Sequence, residues 1–196
     1  NESWQNIWFK LINIKMKKLD IILKRNSARL LQEPYPTKVE MNNIYKAALR
    51  APDHAWLRPT SFIEIKDKGI EKLSKIFEEF ASKNVDQKNI DKYKNAPYRA
   101  PMIIAAVNTY KEHPKVPKIE QMLSTAASVQ NILLALNALK YSSIWRTGKV
   151  AFNKFVDKKL GLEPNQTIIG FIYVGKNKGK QKNIPKINSR EFVKYL

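Results

Sequence analysis

The chain has 196 residues, 43% of them hydrophobic, no cysteine, and a formal charge of +19 from 36 basic and 17 acidic side chains. That length and apolar fraction suit one packed domain. The lack of cysteine excludes disulfides and thiolate metal centres and gives no reason to expect export; with only His54 and His113, a histidine-rich metal centre is not expected either.

The first fifteen residues, "NESWQNIWFKLINIK", carry Trp4, Ile7, Trp8, Leu11 and Ile12 at helical spacing. They lack the apolar core and small-residue cleavage site of a signal peptide. Met16 would serve as a natural start, so residues 1–15 read as an N-terminal extension and 16–196 as the functional domain. Lys18 to Lys24 suits a short helix, broken at "RNSARLLQEPYPT". Thr37 followed by Glu40 is a capping box for a helix from Lys38 to about Leu49, stopped by Pro52. "SFIEI" (Ser61–Ile65) alternates as a strand does. Gly69 to Ala81 predicts an amphipathic helix with Ile70, Leu73, Ile76, Phe77 and Phe80 on one stripe.

"MIIAAV" (Met102–Val107) is a continuous apolar run, suited to a strand covered on both faces. A polar loop follows. From Gln121 to Leu139 no charge occurs, but Ser124, Thr125, Ser128, Gln130, Asn131 and Asn137 interrupt the stretch, which therefore reads as a buried helix rather than a membrane span. Ser124, Ser128, Asn131 and Ala135 form a small, mildly polar seam that fits close helix packing. After "YSSIWRTG", Phe152 to Leu160 predicts a helix ended by Gly161, and "TIIGFIYVG" (Thr167–Gly175) a buried strand. Strands separated by helices point to a three-layer α/β or α+β domain.

The charge raises nucleic acid or an anionic membrane as partners. Yet 29 of the 36 basic residues are scattered lysines, which reads as a solvated surface rather than a clustered nucleic-acid stripe. The seven arginines stand out, because a guanidinium supplies a rigid planar fork. Arg25, Ser27 and Arg29, if the backbone is extended, share one face and make a phosphate seat. In "RAPDHAWLRPTSF", Arg50 sits in the last helical turn and His54 just past the Pro52 break. In "WRTG", Arg146 lies beside Trp145, between two helices. No glycine-rich phosphate loop, G-x-S-x-G elbow or framed carboxylate pair is present, so an enzyme built on this chain would leave the reaction to a bound cofactor.

Six stretches, "RNSARLLQEPYPT", "ALRAPDHAWLRPTSFIEI", "NAPYRAPMIIAAV", "HPKVPKIEQMLSTAASVQ", "SSIWRTG" and "IIGFIYVG", run in order from about Met16 to the C-terminus. Together they resemble the FMN-dependent nitroreductase family, in particular its compact NAD(P)H nitroreductase branch. The resemblance implies an α+β fold: a central, mostly antiparallel sheet flanked by helices in three layers. It also implies an intertwined homodimer with FMN at each subunit interface. Arg25, Asn26 and Ser27 would hold the flavin, Arg50 and His54 would reach the flavin of the partner copy, and Trp145, Arg146 and Thr147 would complete the contacts. A nicotinamide-nucleotide segment falls on Ala135, Leu136, Asn137, Ala138, Leu139 and Lys140.

The expected activity is ping-pong transfer of hydride from NAD(P)H through the flavin to an electron-poor acceptor such as a nitroaromatic or a quinone, in the cytoplasm, with no side chain as catalytic acid or base. Two alternatives are a basic nucleic-acid-binding protein and a flavin-binding relative without turnover. Two departures bear on the substrate pocket: Thr60 follows Pro59 where the branch has an aromatic, and Ser142 and Ser143 replace glycines.

Overall fold

The structure, a computed structural model, describes residues 19–196. The proposed extension 1–15, Met16 and the start of the Lys18–Lys24 helix lie outside the described residues; residues 19–23 are helical. Ten further elements follow: β1 (Leu31–Gln32), α1 (Lys38–Ala48), β2 (Thr60–Lys66), α2 (Lys68–Asn84), α3 (Ile90–Lys94), β3 (Met102–Thr109), α4 (Lys118–Ala138), β4 (Ser142–Arg146), α5 (Lys154–Lys159) and β5 (Gln166–Asn177).

The five strands form one sheet. β3 lies between β2 and β5, and the far edge of β5 is shared by β4 and then β1. Every strand pair is antiparallel; a single parallel bridge joins Ser27 to Ser143. The continuous apolar run of β3 is buried on both faces, and its alternation divides the core in two. Ile103, Ala105 and Val107 pack with Leu73, Ile76, Phe77 and Phe80 of α2, where Phe77 meets Phe171 of β5 edge-on at 5.2 Å. Met102, Ile104 and Ala106 pack with Met41, Ile44 and Ala48 of α1 and with Val129, Ile132, Leu133 and Leu136 of α4. The result is the expected three-layer α+β architecture.

The Thr37 capping box forms: the Glu40 amide donates to Thr37 Oγ1 at 3.3 Å, and the Thr37 amide donates to Glu40 Oε2 at 2.7 Å. α4 begins three residues before the charge-free stretch, and no helix among the described residues is long and apolar enough to cross a membrane. Its polar seam divides by position. Asn131 Nδ2 donates to the Ala47 carbonyl at 3.2 Å, docking α4 on α1, whereas Ser124 and Ser128 face a cleft.

Three local expectations are corrected. The "YSSIWRTG" stretch contains strand β4, and the break before Thr37 contains the two-residue β1. The expected Phe152–Leu160 helix starts later, at Lys154, because Phe152 has φ 58° and Asn153 Oδ1 caps the Phe155 and Val156 amides. β5 carries a bulge where Ala106 pairs Gly170 and Val107 pairs Ile168, which leaves Ile169 unmatched.

Candidate functional site

The segment after the first helical turn is stitched to the start of β4. The Ala28 amide donates to the Ser143 carbonyl at 3.2 Å, and the Ser27 bridge lies beside it. This places Arg25, Asn26 and Ser27 around a small recess of about 130 Å³. Arg25 Nη1 points to Ser27 Oγ at 3.4 Å, Asn26 Oδ1 accepts from the Ser27 amide at 2.9 Å, and Asn26 Nδ2 donates to the Lys182 carbonyl at 2.6 Å. Lys24, Lys180 and Lys182 join the same walls. Cationic groups, hydroxyls and amides in one recess form a seat for an anion such as a phosphate.

Arg29 is not part of it. The chain bends at residues 29–30, so Arg25, Ser27 and Arg29 do not share one extended face, and Arg29 instead adds its charge beside Arg146. The nicotinamide segment is split as well. Asn137, Ala138 and Lys140 line an adjoining hollow, Leu136 is buried in the core, Ala135 packs against that core, and Leu139 is exposed.

Trp145 and Arg146 end β4, opposite Ile172 and Phe171 of β5. On alternate faces of the strand, each has a buried donor with no acceptor: Trp145 Nε1 and Arg146 Nε. The indole lies over Gly170 at the bulge, where a Cβ would collide with it. The Arg146 guanidinium sits 5.5 Å from the centre of the Tyr173 ring. Burial lowers its pKa, and the nearby Arg99 and Arg29 lower it further. Burial also pushes the Tyr173 phenol up to about 12. Thr147 is exposed beside them. Among the described residues Arg146 has no carboxylate partner, so on its face of β4 Arg29 and Arg99 add like charge to a guanidinium whose Nε lacks an acceptor. A bound polar group supplying acceptors would relieve this arrangement.

Arg50 and His54 lie elsewhere on the chain. α1 tightens at its end, with the Arg50 amide donating to Ala47 and the Ala51 amide to Ala48 before Pro52. Arg50 is exposed and lines a cleft of about 650 Å³ with Trp56, Arg58, Thr60, Ser124 and Ser128 among its walls. His54 Nδ1 is 2.8 Å from Glu120 Oε2. Past His54 the backbone is left-handed at Ala55 (φ 59°), Trp56 (φ 54°) and Arg58 (φ 49°). The cleft and the Arg25 recess have no lining residue in common. Sequence reasoning missed Lys180, Lys182, Arg99, Trp56 and Arg58. Only their residue types hint at a role: the neighbours of Lys180, Lys182 and Arg99 are distant in the chain, and no glycine marks the left-handed run that sets Trp56 and Arg58.

The Nitroreductase family model matches residues 22–176. A protein of Escherichia coli (strain K12) named "Putative NAD(P)H nitroreductase YdjA" is 38% identical over 161 residues, covering 82% of this chain and 88% of that one. A Haemophilus influenzae protein named "Putative NAD(P)H nitroreductase" is 29% identical over 186 residues, covering 92% and 100%. Among solved structures, the nitroreductase-like family protein from Bacillus cereus superposes with a TM-score of 0.77 at 19% identity over 90% of this chain and 94% of that one. A nitroreductase with bound FMN from Bacteroides fragilis gives 0.71 at 20% identity over 91% and 97%. The fold is the α+β fold of these nitroreductase structures. The chain belongs to the nitroreductase family, a family of enzymes.

Proposed function

We propose that the chain is a cytoplasmic, homodimeric, FMN-dependent oxidoreductase that takes hydride from NAD(P)H and passes it to an electron-poor acceptor such as a nitroaromatic or a quinone. The observation that carries this reading is the separation of the two arginine groups. One chain offers an anion seat at Arg25 and an unconnected cleft at Arg50, and two copies facing each other would join them into one site.

The residues fit the cofactor. Arg25, Asn26 and Ser27, supported by Lys180 and Lys182, would hold the phosphate, and Trp145, Arg146 and Thr147 would meet the flavin, Arg146 with an Nε that has no acceptor within the chain. Arg50 and His54 would come from the partner copy. Bound FMN supplies the hydride chemistry, which no side chain here replaces. Arg146, with Arg99 and Arg29 beside it, would set positive charge beside the bound flavin, and low-dielectric surroundings would strengthen that effect. Asn137, Ala138 and Lys140 are the part of the nicotinamide segment that would touch a nucleotide, a reading supported by the open hollow they line.

Purified protein is expected to be yellow, with flavin absorbance that NAD(P)H bleaches under anaerobic conditions and an acceptor restores. Colourless protein that takes up no added FMN would refute the reading.

A further inference from the structure

We propose that Trp56 and Arg58 form the recognition site for the electron acceptor, and that this acceptor is a flat aromatic ring bearing an anionic group. The inference rests on the oxidoreductase reading for the word acceptor; the cleft itself is a feature of the chain. At about 650 Å³ it falls in the size range of small-molecule sites. Trp56 is 79% exposed at its edge. An indole is normally largely buried, so one left uncovered by its own chain presents a stacking surface.

The loop that holds it there is fixed. Three of its four residues from Ala55 to Arg58 have left-handed φ, an arrangement that persists only where its surroundings over-determine it. The Asp53 carboxylate accepts the Arg58 amide at 2.7 Å, and the Asp53 carbonyl accepts the Trp56 amide at 3.3 Å. The charges around the cleft leave Arg58 available. Asp53 is engaged by the loop backbone, and Glu120 is paired with His54. Among the described residues neither Arg50 nor Arg58 has a carboxylate partner.

The floor contributes space rather than charge. Thr60 and Thr125 are hydrogen-bonded at 3.0 Å, Thr125 donates to Asn108 Oδ1 at 2.9 Å, and Ser128 donates to the Ser124 carbonyl at 3.2 Å. Thr60, where an aromatic residue would fill the floor, keeps the cleft open, and the aromatic surface stands instead at Trp56 on the rim. A guanidinium fork matches a carboxylate bidentately, and a flat ring matches the indole. A neutral quinone would use only the second contact.

The test titrates the protein as purified with 4-nitrobenzoate and its neutral isostere 4-nitrobenzamide, following tryptophan fluorescence, and measures the KM of each as acceptor. The benzoate is expected to bind about tenfold more tightly than the amide. Arg58→Gln should bring that ratio close to one, and Trp56→Phe should remove the saturable quench. Lys72→Gln, on the exposed side of α2, should retain the ratio, which separates a local contact from attraction to the basic surface. A ratio that survives Arg58→Gln overturns the proposal. So does an Arg58→Gln variant whose defect is a raised KM for NADPH with the acceptor ratio intact, since the arginine would then serve a nucleotide phosphate. Flavin absorbance of the same samples tests the underlying reading separately. Protein that stays flavin-free when FMN is added, yet shows Arg58-dependent benzoate binding, would refute the oxidoreductase assignment and support the recognition site.

Discussion

Replacing Gly170 with alanine tests how rigidly Trp145 is seated. The new Cβ would fall inside the contact distance of the indole Nε1, 2.6 Å from Cδ1 and 3.1 Å from the Arg146 carbonyl oxygen. The first two contacts belong to a planar ring whose strand is paired residue by residue with β5, so the indole cannot yield as the tip of a lysine would. Overpacking of this kind costs about 1–3 kcal/mol, which for a domain of this size lowers Tm by roughly 2–12 °C. Thermal unfolding monitored by circular dichroism reads the loss, and flavin content in the same samples reads the displacement of Trp145 and Arg146. The Gly170→Ala penalty should shrink by at least about 1 kcal/mol in a Trp145→Leu background, because the two sites share one contact. A Gly170→Ala protein that melts within a degree of the parent and keeps its flavin would show that Trp145 does not rest on the bulge.

Thr37→Ala should cost about 1 kcal/mol through loss of the cap. Hydrogen bonds from the Thr37 backbone and hydroxyl hold Glu40 below its ordinary 4.5, so that stabilisation is present above pH 4.5 and fades as pH falls through the lowered value. The gap between parent and variant should therefore narrow in acid, and a gap that widens in urea melts at low pH would contradict the cap. Arg146→Met removes a desolvated charge crowded by Arg99 and Arg29. The flavin-free variant should melt higher than the flavin-free parent while retaining less FMN, and a fall in both would refute that trade between stability and binding. The Tyr173 phenol should titrate near 12 in ultraviolet absorbance. Because its folded pKa is raised, its contribution is intact below pH 10 and lost as pH rises toward 12, so a midpoint near 10 would mean the ring is not buried as described.

The parts of the fold legible in the sequence were those decided by neighbours in the chain. Thr37 and Glu40 are three residues apart and close their own hydrogen bonds, and the unbroken apolar run of β3 announced burial on both faces. β4 was not legible. "SSIWR" mixes hydroxyl, apolar and charged residues, and it becomes a strand because β5, some thirty residues later, offers it an edge. The site shows the same division. Arg25, Arg50 and Arg146 drew notice because arginine is scarce here, but the bend that turns Arg29 toward Arg146 depends on the tertiary setting of that segment. Lys180 and Lys182 looked like two more surface lysines until the tail laid them beside Asn26. The left-handed run at Ala55 to Arg58 contains no glycine to announce it, so the exposed position of Trp56 appears only in three dimensions.

Mixing two defective variants probes the proposed shared site most directly. Arg25→Ala and Arg50→Ala proteins, each purified alone, are expected to retain little FMN. Unfolded together and refolded, they should yield mixed dimers in which one of the two sites is whole, with Arg25 from one copy and Arg50 from the other; random pairing makes half of the dimers mixed, so flavin absorbance should return to about a quarter of one FMN per chain. If the mixed dimers stay colourless while the refolded parent recovers its flavin, the two arginines do not meet across a subunit boundary, and the account is wrong.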